Sequence, residues 1–333
     1  MTQPSRVETS PSRVLIVDVQ HIAYTHARAQ RQLFWVVDGQ RVNTTIQTGI
    51  IKNVWKWSNR GEYPTVVCFD RPCPLRKAYI EQSLGTEYKA GRASKSYAFL
   101  QALNSAGQTL HNGSVPALAV PGYEADDLVG AAVSSAKVQY PDSYIDVVTG
   151  DTDLVPLVDD QVSVFLRSVK GTSSVHKEAE KTRYVQVTPD TYEGIISARS
   201  AFKGLSTPYN TLLLLKLLRG DKSDGLASPV KHLFRPKQFN VLVSEVARDL
   251  SPLQYTYASK AELFGYLFDP SSPRVPLEYR DSLDALWNAY CLNFPYPGAE
   301  GLPTREVVPD FTIQAFDPSK LVASAKVLGI RLS

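Results

Sequence analysis

Cysteine is scarce: three in 333 residues (Cys68, Cys73 and Cys291), with no CxxC pair and no spacing that suits zinc. A disulfide-stapled secreted scaffold is thereby excluded, and a reduced, intracellular protein is expected. The five histidines (His21, His26, His111, His176 and His232) share no metal-ligand spacing, and His21, close to Asp18, reads as structural. No apolar run approaches the ~20 residues of a membrane span. The opening MTQPSRVETSPS lacks the apolar core of a signal peptide. Charge of one sign is also missing: 36 Lys and Arg face 33 Asp and Glu, a net of +3. With 43% hydrophobic and 21% charged residues the composition is ordinary for a globular chain, which excludes a disordered or collagen-like one. At ~150 residues per domain the length allows one large domain or two ordinary ones.

What is present is an alternation of strands and helices. RVLIVDV (13–19), PTVVCFD (64–70) and YIDVVT (144–149) read as buried strands. LFWVVDGQRVN (33–43) carries Asp38-Gly39 between apolar stretches, as a type I′ hairpin requires. Thr45 to Trp57 and Glu124 to Tyr140 read as helices, the first with Ile46, Ile50, Val54 and Trp57 on one stripe. This order predicts an α/β protein with a mostly parallel sheet flanked by helices. Residues 74–113, rich in Lys, Arg, Tyr, Ser and Gly, read as a mobile helical insertion. Helical patterns follow at 192–202, 210–218 and 239–250, and the last 80 or so residues carry Pro-rich breaks. The expected division is residues 1–188, 189–250 and 251–333. Trp35, Trp55 and Trp57 read as core.

The acids carry the chemistry. Asp18, Asp70 and Asp151 each follow a predicted buried strand, and ligands of open parallel sheets bind beyond the carboxyl ends of strands. Asp153 lies in the turn GDTD; Glu124, Asp126 and Asp127 open a helix; Asp221 and Asp224 sit in RGDKSDG after another. Two like charges ~4 Å apart repel by ~4 kcal/mol at an effective dielectric of ~20, so such a crevice requires cations. Oxygen-only donors suit Mg²⁺ or Mn²⁺, and a pair of such ions is the recurring clamp of phosphodiester hydrolysis. The net charge is +3 with these nine acids counted and +12 without them, a basic body around an acidic pocket.

VLIVDV, VVCFD, YKAGR, EADDL, TGDTDL and RGDKSDG occur in the order found in the 5′-nuclease superfamily, which the chain resembles over roughly residues 13–240. That group includes flap endonucleases, phage-type 5′→3′ exonucleases and the 5′-exonuclease domain of bacterial DNA polymerase I. The resemblance implies a PIN-like domain with a helical arch (about 74–113) and a helix–three-turn–helix duplex-binding region at 189–250. It also implies two Mg²⁺, replaceable by Mn²⁺. Asp18, Asp70, Glu124, Asp126 and Asp127 match the surroundings of the first ion; Asp151, Asp153, Asp221 and Asp224 match those of the second. Lys89 and Arg92 match the arch pair that contacts the scissile phosphate. Tyr88, Lys95, Lys216, Arg219, Lys222, Lys231, Arg235 and Lys237 are the expected DNA-binding residues, six of them among the Lys and Arg of 216–237. Gly225 stands where many relatives carry Asn, which leaves their K⁺ site an open question, and the short arch leaves the endo/exo balance open.

The expected activity is structure-specific hydrolysis of DNA, as a flap endonuclease and 5′→3′ exonuclease in replication and primer removal. The partners would be branched or 5′-ended DNA and replication proteins, and the chain would act as a cytoplasmic monomer in a bacterial or phage-infected cell. The alternatives are a PIN-type endoribonuclease and a catalytically inactive DNA-binding scaffold. A haloacid-dehalogenase-type phosphatase would need an acid at Gln20, and a Toprim domain a Glu at Asp18.

Overall fold

A computed structural model describes residues 11–28, 32–37, 39–89, 94–167, 184–197, 211–221, 224–250, 260–291 and 311–332. Arg92 and Lys222 lie outside the described residues. Strand β1 (Arg13–Asp18) runs through the centre of a six-stranded sheet. On one side it pairs in parallel with β4 (Thr65–Cys68), which pairs in parallel with β5 (Ala117–Leu118). On the other side lie β6 (Tyr144–Thr149), β7 (Val162–Arg167) and β8 (Tyr184–Val187), the last antiparallel. A hairpin of β2 (Phe34–Val37) and β3 (Gln40–Asn43) stands apart from the sheet. The sequence reading found β1, β4 and β6 but neither β7 nor β8.

Alternation along β1 builds both cores. Val14 and Ile16 face one side, joined by Leu128, Val129 and Ala132 of helix α5 (Ala125–Gln139). Leu15 and Val17 face the other, with Ile22 of α1 (Val19–Ala27) and Ile50, Ile51 and Val54 of α2 (Thr45–Trp57). Both faces are covered, as a parallel sheet requires.

The segment expected to be a mobile arch is mostly two packed helices. In α3 (Pro74–Leu84) Arg76 and Ile80 are buried, one turn apart. In α4 (Tyr97–Asn112) Phe99, Leu103, Ala106 and Leu110 join the second core. The low apolar content of 74–96 hid the apolar stripe that begins at Phe99. Residues 85–89 and 94–96 lie outside helices, and 90–93 are not described.

Beyond the sheet come α6 (Tyr192–Ser197) and α7 (Thr211–Arg219), then the small hairpin of β9 (Gly220–Asp221) and β10 (Leu226–Ala227), and α8 (Pro236–Leu250). The tail supplies α9 (Lys260–Leu267), α10 (Arg280–Cys291) and α11 (Pro318–Val327). It packs back on the rest: α10 against α3 and α7, α11 against α4. Thr65 N donates to Gln314 O (3.1 Å) and Tyr140 Oη to Ile313 O (2.6 Å). Trp287 of α10 is the fully buried tryptophan, whereas Trp35, expected in the core, is 44% exposed and lies against Gly329.

Candidate metal-binding active site

Strand order reverses about β1, since the chain fills β4 and β5 on one side before returning to β6 on the other. The carboxyl ends at that switch point open a crevice. Asp18 ends β1, Asp70 lies two residues past β4 and Asp151 two past β6. Together with Glu124 and Asp126 from the start of α5, these three acids line one cavity of about 890 Å³.

Local hydrogen bonds aim each acid. Asp18 caps α1, accepting from Gln20 N (2.9 Å), while its second oxygen accepts from Thr149 Oγ1 (2.8 Å). Thr149 Oγ1 also accepts from Asp151 N (3.0 Å), and Asp151 in turn accepts from Asp153 N (2.9 Å). One buried threonine thus links the ends of β1 and β6. Asp70 Oδ1 accepts from Ala125 N (3.2 Å), tying β4 to the first turn of α5.

Four cations stand among the acids. Lys89 Nζ donates to both oxygens of Glu124 (2.7 and 2.8 Å), and Lys95 Nζ to Asp70 Oδ2 (2.7 Å). Lys216 of α7 bridges Asp153 and Asp221, the latter at 2.7 Å. Arg76, with no exposed side-chain surface, contacts Glu124 and donates to Asp127 Oδ1 (2.7 Å). Asp127 Oδ2 accepts from Glu124 N (2.9 Å), completing a reciprocal cap.

The acids divide by environment. Burial works against the charge of Asp70, but Lys95 and the Ala125 N–H outweigh it and hold the carboxyl below its usual value. Burial, reinforced by Asp151 and Asp18, pushes Asp126 well above the carboxylate range. Asp151 is raised by burial, against the pull of the Asp153 N–H and of Lys216. Asp153 is pushed up to about 6 by burial and by Asp151, with Lys216 opposing. Burial disfavours the charge of Arg76, yet Asp127 and Glu124 more than restore it.

Several expected residues stand elsewhere than anticipated. Asp127 turns to Arg76 and the cap. Lys216, expected on a DNA-facing surface, points inward because Asp153 and Asp221 flank it. Tyr88 packs against the core and donates to Glu124 Oε2 (3.1 Å), whereas Tyr97, at the start of α4, is 75% exposed. Asp224 is buried in the turn between β9 and β10, where its carbonyl accepts from Lys89 N (2.9 Å). Arg219, Lys231, Arg235 and Lys237 are exposed around the α7–α8 connection, Arg219 lying over the Phe239 ring at 4.4 Å. The sequence reading missed Arg76 and Thr149. The four-residue spacing of Arg76 and Ile80 on one helix face was the available signal for the first.

The donors are carboxylates without sulfur or imidazole, and burial, reinforced by their mutual repulsion, raises three of them, so the set fits hard divalent cations. Among the described residues no three of the acids form a ready coordination sphere; lysine ammonium groups stand between them.

Residues 13–186 match the family model described as 5′-3′ exonuclease, N-terminal resolvase-like domain. The chain is 26% identical over 276 residues to the thermostable DNA polymerase I of Thermus filiformis, covering 77% of this chain and 31% of that protein. It is 31% identical over 147 residues to DNA polymerase I of Chloroflexus aurantiacus, covering 44% and 14%. It therefore spans less than a third of the length of these relatives. Among solved structures it is similar to the T5 D15 protein co-crystallised with metal ions, at TM-score 0.53 and 14% identity, covering 95% of this chain and 94% of that one. The bacteriophage T5 D15 flap endonuclease in complex with DNA and metal ions gives 0.52 at 15% identity, covering 95% and 93%. The likeness to the T5 structures is one of fold. From the matched residues, over half its length, the chain belongs to the 5′-3′ exonuclease family with an N-terminal resolvase-like domain.

Proposed function

We propose that this chain is a divalent-metal-dependent 5′-nuclease that hydrolyses DNA phosphodiesters at 5′ flaps and 5′ ends during replication and primer removal. The carrying observation is the crowd of half-buried carboxylates at the switch point of a parallel sheet, three of them raised by burial and by one another. Asp18, Asp70, Glu124 and Asp126 would hold one ion, and Asp151, Asp153, Asp221 and Asp224 a second, with Asp127 a supporting neighbour. Mg²⁺ or Mn²⁺ bound there supplies Lewis-acid charge and a water of lowered pKa. Lys89 and Lys95, which line the same cavity, and Arg92, which lies between them in sequence, would meet the negative charge that develops on phosphate. Arg76 holds Glu124 and Asp127 in place. Arg219, Lys231, Arg235 and Lys237 would form a basic face suited to duplex backbone, reading charge rather than base sequence, and Lys222 belongs to the same stretch of sequence.

Among the described residues no helix is long and apolar enough to cross a membrane. The proposed setting is the cytoplasm of a bacterial or phage-infected cell. The test is a labelled 5′-flap DNA with and without Mg²⁺, comparing the wild type with Asp153→Ala. Mg²⁺-dependent cleavage near the junction is expected, with at least a ~10³-fold loss in the variant and flap binding within a few-fold. Metal-independent cleavage, full activity in the variant, or cutting of single-stranded RNA in preference to flap DNA would overturn the reading.

A further inference from the structure

His21 is a largely enclosed polar side chain of the site wall, 10% exposed, to which the proposed chemistry gives no part. It follows Asp18 by three residues in the first turn of α1 and lines the acidic cavity. Its ring is held from several directions. Nε2 is hydrogen-bonded to the Tyr184 hydroxyl of β8 at 2.8 Å, and the two rings meet edge to face with centroids 5.7 Å apart. Tyr184 itself stands edge-on to Trp57 at the end of α2, 5.4 Å between centroids. Behind the imidazole, a β-carbon built on Gly150 would come within 2.6 Å of His21 Cβ. Only glycine therefore lets the turn bearing Asp151 and Asp153 close against this residue. Nδ1, the remaining ring nitrogen, is buried, has no hydrogen-bond partner among the described residues, and faces Asp18 Oδ2 at 3.7 Å.

We infer that His21 is a positioning residue for the metal-binding acids, oriented by Tyr184 and directing Nδ1–H at Asp18. With the Tyr184 hydroxyl donating to Nε2, the ring proton resides on Nδ1, and a contraction of under 1 Å brings that donor into hydrogen-bonding range of Oδ2. Asp18 then has three donors fixing its plane: Gln20 N, Thr149 Oγ1 and His21 Nδ1. Because His21 also abuts Gly150, one side chain sets the end of β1 against the turn after β6, the two places that would feed different ions. Partners behind a ligating group fix its orientation, and their loss weakens metal binding by ~10- to 100-fold. The inference rests on the metal-dependent reading above and concerns how its ligands are held.

The experiment measures Mn²⁺ dissociation constants of the full chain without DNA, by electron paramagnetic resonance, alongside thermal melting. His21→Leu is expected to bind Mn²⁺ about tenfold more weakly. His21→Asn, which retains a donor near the Nδ1 position, should stay within about threefold of wild type. Tyr184→Phe deletes one oxygen and should weaken binding by roughly three- to tenfold, and the double variant His21→Leu/Tyr184→Phe should be no worse than His21→Leu. A role confined to packing would lower the melting temperature, leave the Mn²⁺ constant unmoved and show no rescue by Asn, and that result overturns the inference. Additive effects in the double variant overturn it too. Where His21→Leu does not fold, Tyr184→Phe decides alone, since wild-type affinity there removes the role. A wild-type chain that binds no Mn²⁺ overturns the metal reading and this inference together; a wild-type chain that binds while the variants bind equally overturns this inference only.

Discussion

The two halves of the acidic crevice are neutralised in different ways. On the β4 side, Asp70 and Glu124 are met by Lys95 and Lys89 from the connection between α3 and α4, and Glu124 and Asp127 by the buried Arg76. On the β6 side, Asp153 and Asp221 share Lys216 of α7, and burial outweighs it for Asp151 and Asp153, which are both raised. Asp70, Glu124 and Asp127 are thus balanced by cations of their own, whereas Asp126, between the two sides, and Asp151 and Asp153 on the β6 side remain short of positive charge. The lesson is that proximity of acids does not by itself measure demand for metal; the count of cations already among them does.

That contrast is sharpened most by removing Arg76. Arg76→Leu leaves Glu124 and Asp127 buried without their shared partner, and a loss of about 3–5 kcal/mol is expected, read from chemical denaturation. Lys216→Met should cost less, about 2 kcal/mol, because its partners keep access to water. Mn²⁺ should recover more of that loss than of the Arg76 loss, since the ion can replace Lys216 as a counter-charge but not Arg76 in the interior. Equal recovery in the two variants would erase the distinction between the halves.

The pH response tests the same difference. An acid whose folded pKa lies above its unfolded value binds its proton more readily when folded. From Asp153, at about 6, the metal-free chain therefore gains stability as pH falls from neutral toward the ordinary carboxylate range, and loses it as pH rises again. Divalent cations need that carboxyl ionised, so Mn²⁺ affinity should fall steadily below pH about 6. Calorimetry at a series of pH values checks both signs, and an affinity flat across that interval would contradict them. The smallest effect is expected on the β4 side: Lys95→Ala should change stability by less than about 1 kcal/mol, the pair being partly exposed. It should also let the Asp70 carboxyl titrate higher, as followed by NMR.

Much of this was legible in the chain itself. β1 and β6 are dominated by apolar, mostly β-branched residues (Val14, Leu15, Ile16 and Val17; Ile145, Val147 and Val148), so their place in a covered parallel sheet could be read directly, and the acids at and beyond their ends marked the crevice. β7 and β8 escaped because VSVFLR and YVQV flank a long charged stretch that dominates the local composition. Arg76 was passed over and Lys216 was read as a DNA-facing cation because, in sequence, a buried ion pair looks like any other charge. Their partners lie 48 and 63 residues away in Glu124 and Asp153.

By itself the sequence determined the alternation of strands and helices, the family motifs and the identity of the acids, because those depend on residue type and short spacing. Which acid meets which cation, that one face of α4 packs into the second core, and that His21 stands between Asp18 and Gly150 were decided only by tertiary packing. Hydrogen bonds and charge pairs form between groups brought within a few ångströms by the sheet, and no local pattern encodes that distance.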